Sequence, residues 1–490
     1  MPHVPTKFGS ILTVALCVVL VGCGSSPNLP NDDLGYDPAI RDLDAAAPSV
    51  FDPMGLPVGA TGAPLRGVPV EGEWTMYLGN QERTGTRLAR GIAEPVIRWS
   101  VSVGIQGYAN TPLVGGDYIF ASSQGSLHNE SDPDDGFYAL DPQDGSQAWF
   151  YATNEDVNGA SLTADFVVGG TDDGTLYAIE RSTGDKAWEI ELSSPLRHGP
   201  LVDGDILRVQ LERGFVEIDA RDGRTVQRSA GEPDGYDVRG ALAQSGDNVY
   251  RASRACSLEA YEDGNNAWSR TTCTPSSEEW RRAATYAPPT VIGGALVVLS
   301  PEEMDYDVAS TSLAVIVRED GSELWMAEPE SRQPTDPFAS QSYEQGFMAA
   351  GAWLMNGVIF VPRVGAADLL GYDLASGEVR LRVDMPDCRS RQFASIVGVP
   401  SRGYFPRHDG RLYAFIPATG EIAWALSLQY AASAAIVQND SLSWNANNGY
   451  CHADPWDGSA LFATPAIGED GTLYVGSGEG TLYAIEDANW

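Results

Sequence analysis

Few side chains in this sequence are spaced for chemistry. Beyond the N-terminal leader the histidines are His128, His198, His408 and His452, too scattered to form a paired metal-ligand motif. No G-x-S-x-G turn presents a serine nucleophile. The oxygen-rich run "NESDPDDG", residues 129–136, has carboxylates enough for a Ca²⁺ loop. It lacks the EF-hand spacing and its closing Glu, and reads as a solvated acidic turn. The expectation is therefore no catalytic residue, no metal ligand and no cofactor.

The elements that would position a binding site come from a repeat. "GTLYAIE" occurs at residues 174–180 and again, letter for letter, at 480–486. The fuller unit is Gly, a β-rich run ending in Tyr-Ala-hydrophobic, a turn with Gly, then Trp four residues on. Clear copies end at Trp149, Trp188 and Trp424, and weaker ones at Trp268 and Trp325. Gln227 and Leu381 stand where two others would have Trp. Each copy alternates with period two around a tight turn, so each reads as a β-hairpin. A second pair of short strands precedes each hairpin. Four antiparallel strands in roughly 40–50 residues make one propeller blade.

The expected fold is all-β: an eight-bladed propeller of four-stranded antiparallel blades, with a seven-bladed ring and an irregular element as the alternative. The last copy has its third strand but no fourth. "PVIRWSVSVG", starting at Pro95 and containing Trp99, is the candidate to complete that blade and close the ring. The repeated Trp residues are read as core packing between blades rather than as cofactor platforms.

The leader has its own chemistry. Lys7 precedes an apolar run at residues 11–21, too short for a membrane span and suited to a signal peptide. The run ends in "LVGC", which resembles a bacterial lipobox. That resemblance implies cleavage after residue 22 and acylation of Cys23. Gly24, where Asp would retain a lipoprotein at the inner membrane, implies the outer membrane. The alternative is a plain secretory signal with a chance cysteine. Residues 23–72 are rich in Pro, Gly, Ala and Asp without periodicity, and read as a lipidated, disordered tether reaching roughly 40 Å. Three segments result: signal peptide 1–22, tether 23–72 and propeller 73–490.

The repeat resembles the PQQ-type propeller, named for pyrroloquinoline quinone. "WTMYLGNQERTG", residues 74–85, resembles an opening segment found in that superfamily. In its dehydrogenases the resemblance would imply a quinone beside a disulfide of adjacent cysteines, a Ca²⁺ site and a catalytic Asp. This chain has no Cys-Cys pair, and no motif carries the Asp or the metal ligands across. The chain is also similar to the propeller lipoprotein of the outer-membrane barrel assembly machinery, a lipid-anchored eight-bladed scaffold. The long tether and loop insertions depart from that pattern, so no partner-binding residue is carried over.

Blade topology sorts the insertions. Residues 124–136 and 301–311 join second to third strands, whereas 271–287, 328–346 and 429–460 join one blade to the next. All five fall on one face, where long loops of a repeat architecture carry function. That face gathers Trp280, Arg281, Arg282, Phe338, Tyr343, Trp444, Tyr450, His452 and Trp456. The mixture suits a protein, peptide or glycan surface; the alternative is a plug folded over the central channel. Cys256 and Cys273 flank one hairpin, and Cys388 and Cys451 lie in connections around the seventh blade. An oxidising compartment favours pairing them as two disulfides, with free buried thiols as the alternative.

The 490 residues are 43% hydrophobic and carry a formal net charge of −36. Nucleic acid is excluded as a partner by that sign. The charge reads first as solubility and second as attraction to a basic partner or to cations. The functional expectation is a non-enzymatic, lipid-anchored envelope scaffold that binds another envelope protein, in the setting of outer-membrane protein assembly. The alternatives are a PQQ-dependent dehydrogenase and a glycan-binding propeller.

Overall fold

The computed structural model describes residues 68–126, 131–192, 194–233, 241–252, 257–272, 287–301, 311–327, 350–362, 368–385, 394–407, 410–428 and 461–490. These hold thirty-two strands in eight four-stranded antiparallel sheets, and no helix among the described residues. In chain order the blades span residues 113–152 (blade 1), 157–191 (2), 201–233 (3), 242–271 (4), 290–327 (5), 353–384 (6) and 397–427 (7). Blade 8 takes three strands from residues 466–487 and its fourth from Pro95–Ser102. That strand pairs antiparallel with Thr481–Asp487, with Trp99 opposite Ala484. The expected closure and blade count are both present.

Burial follows strand position. The innermost strand of blade 2, Val157–Leu162, is buried throughout, while its outermost, Lys186–Glu191, alternates exposed and half-buried. Apolar clusters fill the seams between successive blades rather than one shared centre. One joins Phe120 and Phe137 of blade 1 to Leu162 and Tyr177 of blade 2, and another joins Trp353 and Phe360 of blade 6 to Tyr413 and Phe415 of blade 7. The smallest, between blades 3 and 4, has Leu201, Phe215, Leu242, Val249 and Tyr261.

The repeat's letters now have separate jobs. The Ala of Tyr-Ala sits opposite the Trp: Ala139 faces Trp149, Ala178 faces Trp188 and Ala414 faces Trp424, each beside a β-bulge. A small residue there lets the ring lie across its partner strand. The turn glycine of the next blade lies under that ring. Gly184 has φ +78°, and a Cβ added to it would come within 2.7 Å of Trp149. Both the left-handed backbone and the close approach require glycine.

Each indole also donates to the next blade's turn. Trp149 Nε1 reaches the Arg181 carbonyl at 2.9 Å, Trp188 that of Ala220 at 2.9 Å, Trp268 that of Arg318 at 3.1 Å and Trp325 that of Leu374 at 2.9 Å. Trp424 donates to Ile92 and Trp99 to Pro142, carrying the series through the closure. These rings are straps rather than deep core: apart from Trp99 they are half-buried, and among the described residues the fully buried tryptophans are Trp74 and Trp353. The polar N–H explains why, since it needs a partner at the sheet rim. Gln227 keeps the bond without the ring, donating to the Asp263 carbonyl at 3.2 Å. Leu381 has no N–H to give.

Candidate functional site

The two faces of the ring differ. First-to-second and third-to-fourth strand turns are short and lie on one face. The five long insertions leave from strand ends on the other: Gln124 and Asp135, Pro301 and Thr311, Thr271 and Thr290, Ala327 and Trp353, Ser427 and Ala466. Residues 124–126 and 131–136 of the first insertion are described, whereas the other four lie almost wholly outside the described residues. So do the candidate binding residues Trp280, Arg281, Arg282, Phe338, Tyr343, Trp444, Tyr450, His452 and Trp456, the candidate disulfide residues Cys256, Cys273, Cys388 and Cys451, and the candidate lipidation site Cys23.

The tight-turn face is sealed by residues 74–87, which touch every blade in turn. Trp74 exchanges backbone bonds with Val114 of blade 1, and Thr75 accepts from Leu162 of blade 2. Gln81 donates to Val202 of blade 3 and accepts from Gln244 of blade 4, while Glu82 accepts from Val291 of blade 5. Thr86 accepts from the Trp353 indole of blade 6 at 2.9 Å, and Gly85 from Gly398 of blade 7. Glu73 pairs with Arg181 in an outer turn of blade 2 at 2.6 Å. Arg83, 1% exposed, gives its guanidinium to the carbonyls of Leu242 and Tyr77 at 2.8 and 2.7 Å, and burial lowers its pKa to about 10.

Tyr77 occupies the ring axis. Its hydroxyl bonds Ser395 of the blade 7 approach at 2.7 Å and lies 3.4 Å from the Thr464 hydroxyl before blade 8. The ring stands edge-on to His198 before blade 3, centroids 5.6 Å apart, and His198 meets Tyr108 edge-on at 5.5 Å. Burial raises the Tyr77 pKa, so the hydroxyl stays neutral and donating. A small cavity beside His198 is lined by Leu196, Arg208, Gln210 and Leu242.

The mouth toward the looped face is polar. Asn110 donates to the Val157 carbonyl and to Ser122, stitching blades 1 and 2. Gln124 donates to Asn158 at 2.6 Å, and Asp172 is shared by Asn158 and Arg197. Asp135, fully buried, sits beside Asp156, which is 1% exposed. Burial, with the charges of Asp156 and Asp132 acting against a backbone N–H from Asp132, pushes the Asp135 carboxyl up to about 6.

None of these mouth and axis residues is legible as a site in the sequence. Tyr77 lies in the opening segment singled out above, and Asp135 in the acidic run. Their partners His198 and Asp156 have no motif. Among the described residues no group of three or more His, Cys, Asp or Glu is placed to hold a metal ion. With Tyr77 across the axis, the described channel does not fit a quinone held with Ca²⁺.

Residues 152–380, from the end of blade 1 into the outer strand of blade 6, match a PQQ-type family model described as the outer membrane protein assembly factor BamB. No curated protein sequence matches the chain. Among solved structures, BamB from Moraxella catarrhalis is 17% identical over 80% of this chain and 99% of its own, with a TM-score of 0.58. A europium-containing methanol dehydrogenase is 14% identical over 85% and 98%, at 0.56. The quinohemoprotein alcohol dehydrogenase from Comamonas testosteroni is 13% identical over 91% and 84%, at 0.59. At such identities the likeness to these structures shows the fold alone. Repeat and ring agree: the chain is an eight-bladed β-propeller, similar from the end of its first blade into its sixth to the PQQ-type family model described as the assembly factor BamB.

Proposed function

We propose that this protein is a lipid-anchored β-propeller scaffold of the cell envelope that binds another envelope protein through its looped face, in outer-membrane protein assembly. The observation that carries this reading is the division of labour between faces. One is sealed by residues 74–87 and tight turns, and every long insertion leaves from the other. The match to an outer membrane assembly factor supports the setting. Cys23 is the proposed anchor, residues 24–72 the tether, and Cys256–Cys273 and Cys388–Cys451 the proposed disulfides of the looped face.

Photo-crosslinking in intact cells tests it. Probes at Asp134 and Glu212, exposed on the looped face, should capture outer-membrane proteins or their assembly factors. Probes at Asp144 and Ser376, exposed on the tight-turn face, should not. Equal capture from both faces, or none from the looped face, overturns the proposal. The likeness to two dehydrogenases motivates one control. Purified protein incubated with PQQ and Ca²⁺ should show no bound-quinone absorbance and no dye reduction with alcohols, and a glycan array should show no binding.

A further inference from the structure

We propose that the apolar corner of blade 8, on the tight-turn face, rests on the phospholipid surface of the membrane that holds the anchor, and so turns the looped face away from that membrane. This deepens the scaffold reading and rests on its lipid anchor at Cys23. It does not depend on what the looped face binds.

Exposed large apolar side chains are unevenly spread over the described residues. Val226, Met326 and Val379 stand singly on the outer strands of blades 3, 5 and 6. Leu88, Val96, Ile97 and Trp490 gather instead where the ring closes. Strand Pro95–Ser102 starts at the tight-turn face, with Pro95 opposite Asp487. It is the outermost strand of blade 8 and leaves Val96 and Ile97 exposed, one on each side of the sheet. The Ala488 N–H donates to the Glu94 carbonyl at 2.9 Å, which brings the last residues alongside the start of that strand. A Cβ added to Gly471, in the first turn of blade 8, would come within 2.7 Å of both the Arg90 carbonyl and the Trp490 ring. Leu88 lies two residues before Arg90, next to Arg87, whose N–H donates to Gly398 of blade 7 at 2.9 Å. The flanking outer strands extend the uncharged surface. Gln147–Ala152 of blade 1 and Ile422–Ser427 of blade 7 carry no charge, whereas those of blades 2–6 each carry at least one.

The course of the chain names the occupant. Residues 1–67 join the described protein at Val68, itself exposed, whose carbonyl accepts from the Asn80 and Thr84 side chains on the tight-turn face. The path from Cys23 therefore arrives on the face that carries the corner. The composition suits a bilayer interface, where tryptophan and arginine sit at headgroup level above inserted aliphatic side chains. Arg90 is exposed beside Trp490, and Arg402 lies against Gly91. Glu469 and Asp470 are exposed in the adjoining turn, and Arg98 pairs with Glu486 at 3.4 Å. Mixed charge of this kind matches a zwitterionic headgroup, with its phosphate and its ammonium, while a chain of net charge −36 is repelled by a strongly anionic surface. Four inserting side chains hold a free protein only weakly. On an anchored one they act at high effective concentration, so weak contacts suffice to set its orientation. The looped face then points into the soluble space beside the membrane, where partner domains are met.

The test uses the full-length protein, purified from membranes and reconstituted into vesicles of phosphatidylethanolamine with a minor share of phosphatidylglycerol. Photo-crosslinkers at Leu88 and Ile97 should form phospholipid adducts at least about tenfold more often than those at Asp134 and Glu212 on the looped face. Leu88→Asp and Trp490→Asp should each cut the adducts at Ile97 several-fold at an unchanged thermal midpoint. Equal adducts from the two faces, none at Leu88 and Ile97, or adducts at Ile97 unmoved by both variants overturn the docking. So do adducts to a second copy of the chain, which would assign the corner to self-association. Should the variants fail to fold, the probes in the otherwise native chain decide. Intact mass reads the anchor separately. Acyl chains on Cys23 with a silent corner sink the docking alone, whereas an unacylated Cys23 sinks anchor and docking together.

Discussion

A single indole shows what the repeat conserves within this chain. Trp188 packs on Gly223 and bonds the Ala220 carbonyl, so it contributes both contact area and a polar tie. Trp188→Leu should destabilise the ring by about 2–3 kcal/mol, read from denaturant midpoints at unchanged slope. The converse applies at blade 3, where Gln227 supplies the tie alone over the smallest apolar cluster. Gln227→Trp should raise the thermal midpoint, and a fall would mean the Gly264 turn cannot admit the ring. Spacing alone exposed both positions as departures from the repeat. It did not reveal that the tryptophans are straps, because that depends on a carbonyl from the following blade. Asp135 shows the same limit more sharply. Its partner is near in sequence, yet only the blade register buries the two together. With its folded value at about 6 against an ordinary 3.8, Asp135 holds its proton more tightly folded than unfolded. Stability should then be level below pH 3.8, fall between 3.8 and 6, and level again above. The loss should be about 1–2 kcal/mol after screening at the mouth, and Asp135→Asn should remove it.

Among the elements, residues 74–87 reach every blade. They hold no regular strand, yet seven blades give them a bond and the eighth packs against them, and Trp74 is fully buried. Trp74→Ala should cost about 3–5 kcal/mol. Tyr77→Phe keeps the ring and removes the hydroxyl, with its bonds to Ser395 and Thr464, and should cost about 1 kcal/mol. Comparable losses for the two would mean that the Tyr77 hydroxyl, not the segment's packing, organises the axis. The strand Pro95–Ser102 was legible from the arithmetic of the blades, since seven hairpins and one unfinished copy require a strand from elsewhere. The role of residues 74–87 was not legible, since their bonds go mostly to backbone groups, which any sequence presents. Period two marks strands; nothing marks a segment that belongs to all blades and to none.

For the whole molecule, a charge of −36 on a closed ring predicts self-repulsion. Moderate salt should raise the thermal midpoint, most steeply at low ionic strength, and a midpoint indifferent to salt would mean the charges are locally compensated. The seams set a second expectation at this scale, because successive blades are tied by a Trp, by Gln227 or, at Leu381, by packing alone. Unfolding under denaturant, followed by site-resolved exchange, should open first where the ties are fewest, at blades 3–4 and 6–7. The closure has a consequence for how such a protein is made. Pro95–Ser102 is synthesised before all seven complete blades, yet its partner, Thr481–Asp487, follows every other strand. A chain leaving a ribosome or a translocase N-terminus first must carry that strand unpaired until the last one arrives. Pairing across nearly the whole length is entropically slow, so ring closure is expected to be the late, rate-setting step of folding. A chain cut short before residue 481 would display an open sheet edge at either end. The ring thereby registers its own completeness, and quality control needs only to recognise an edge.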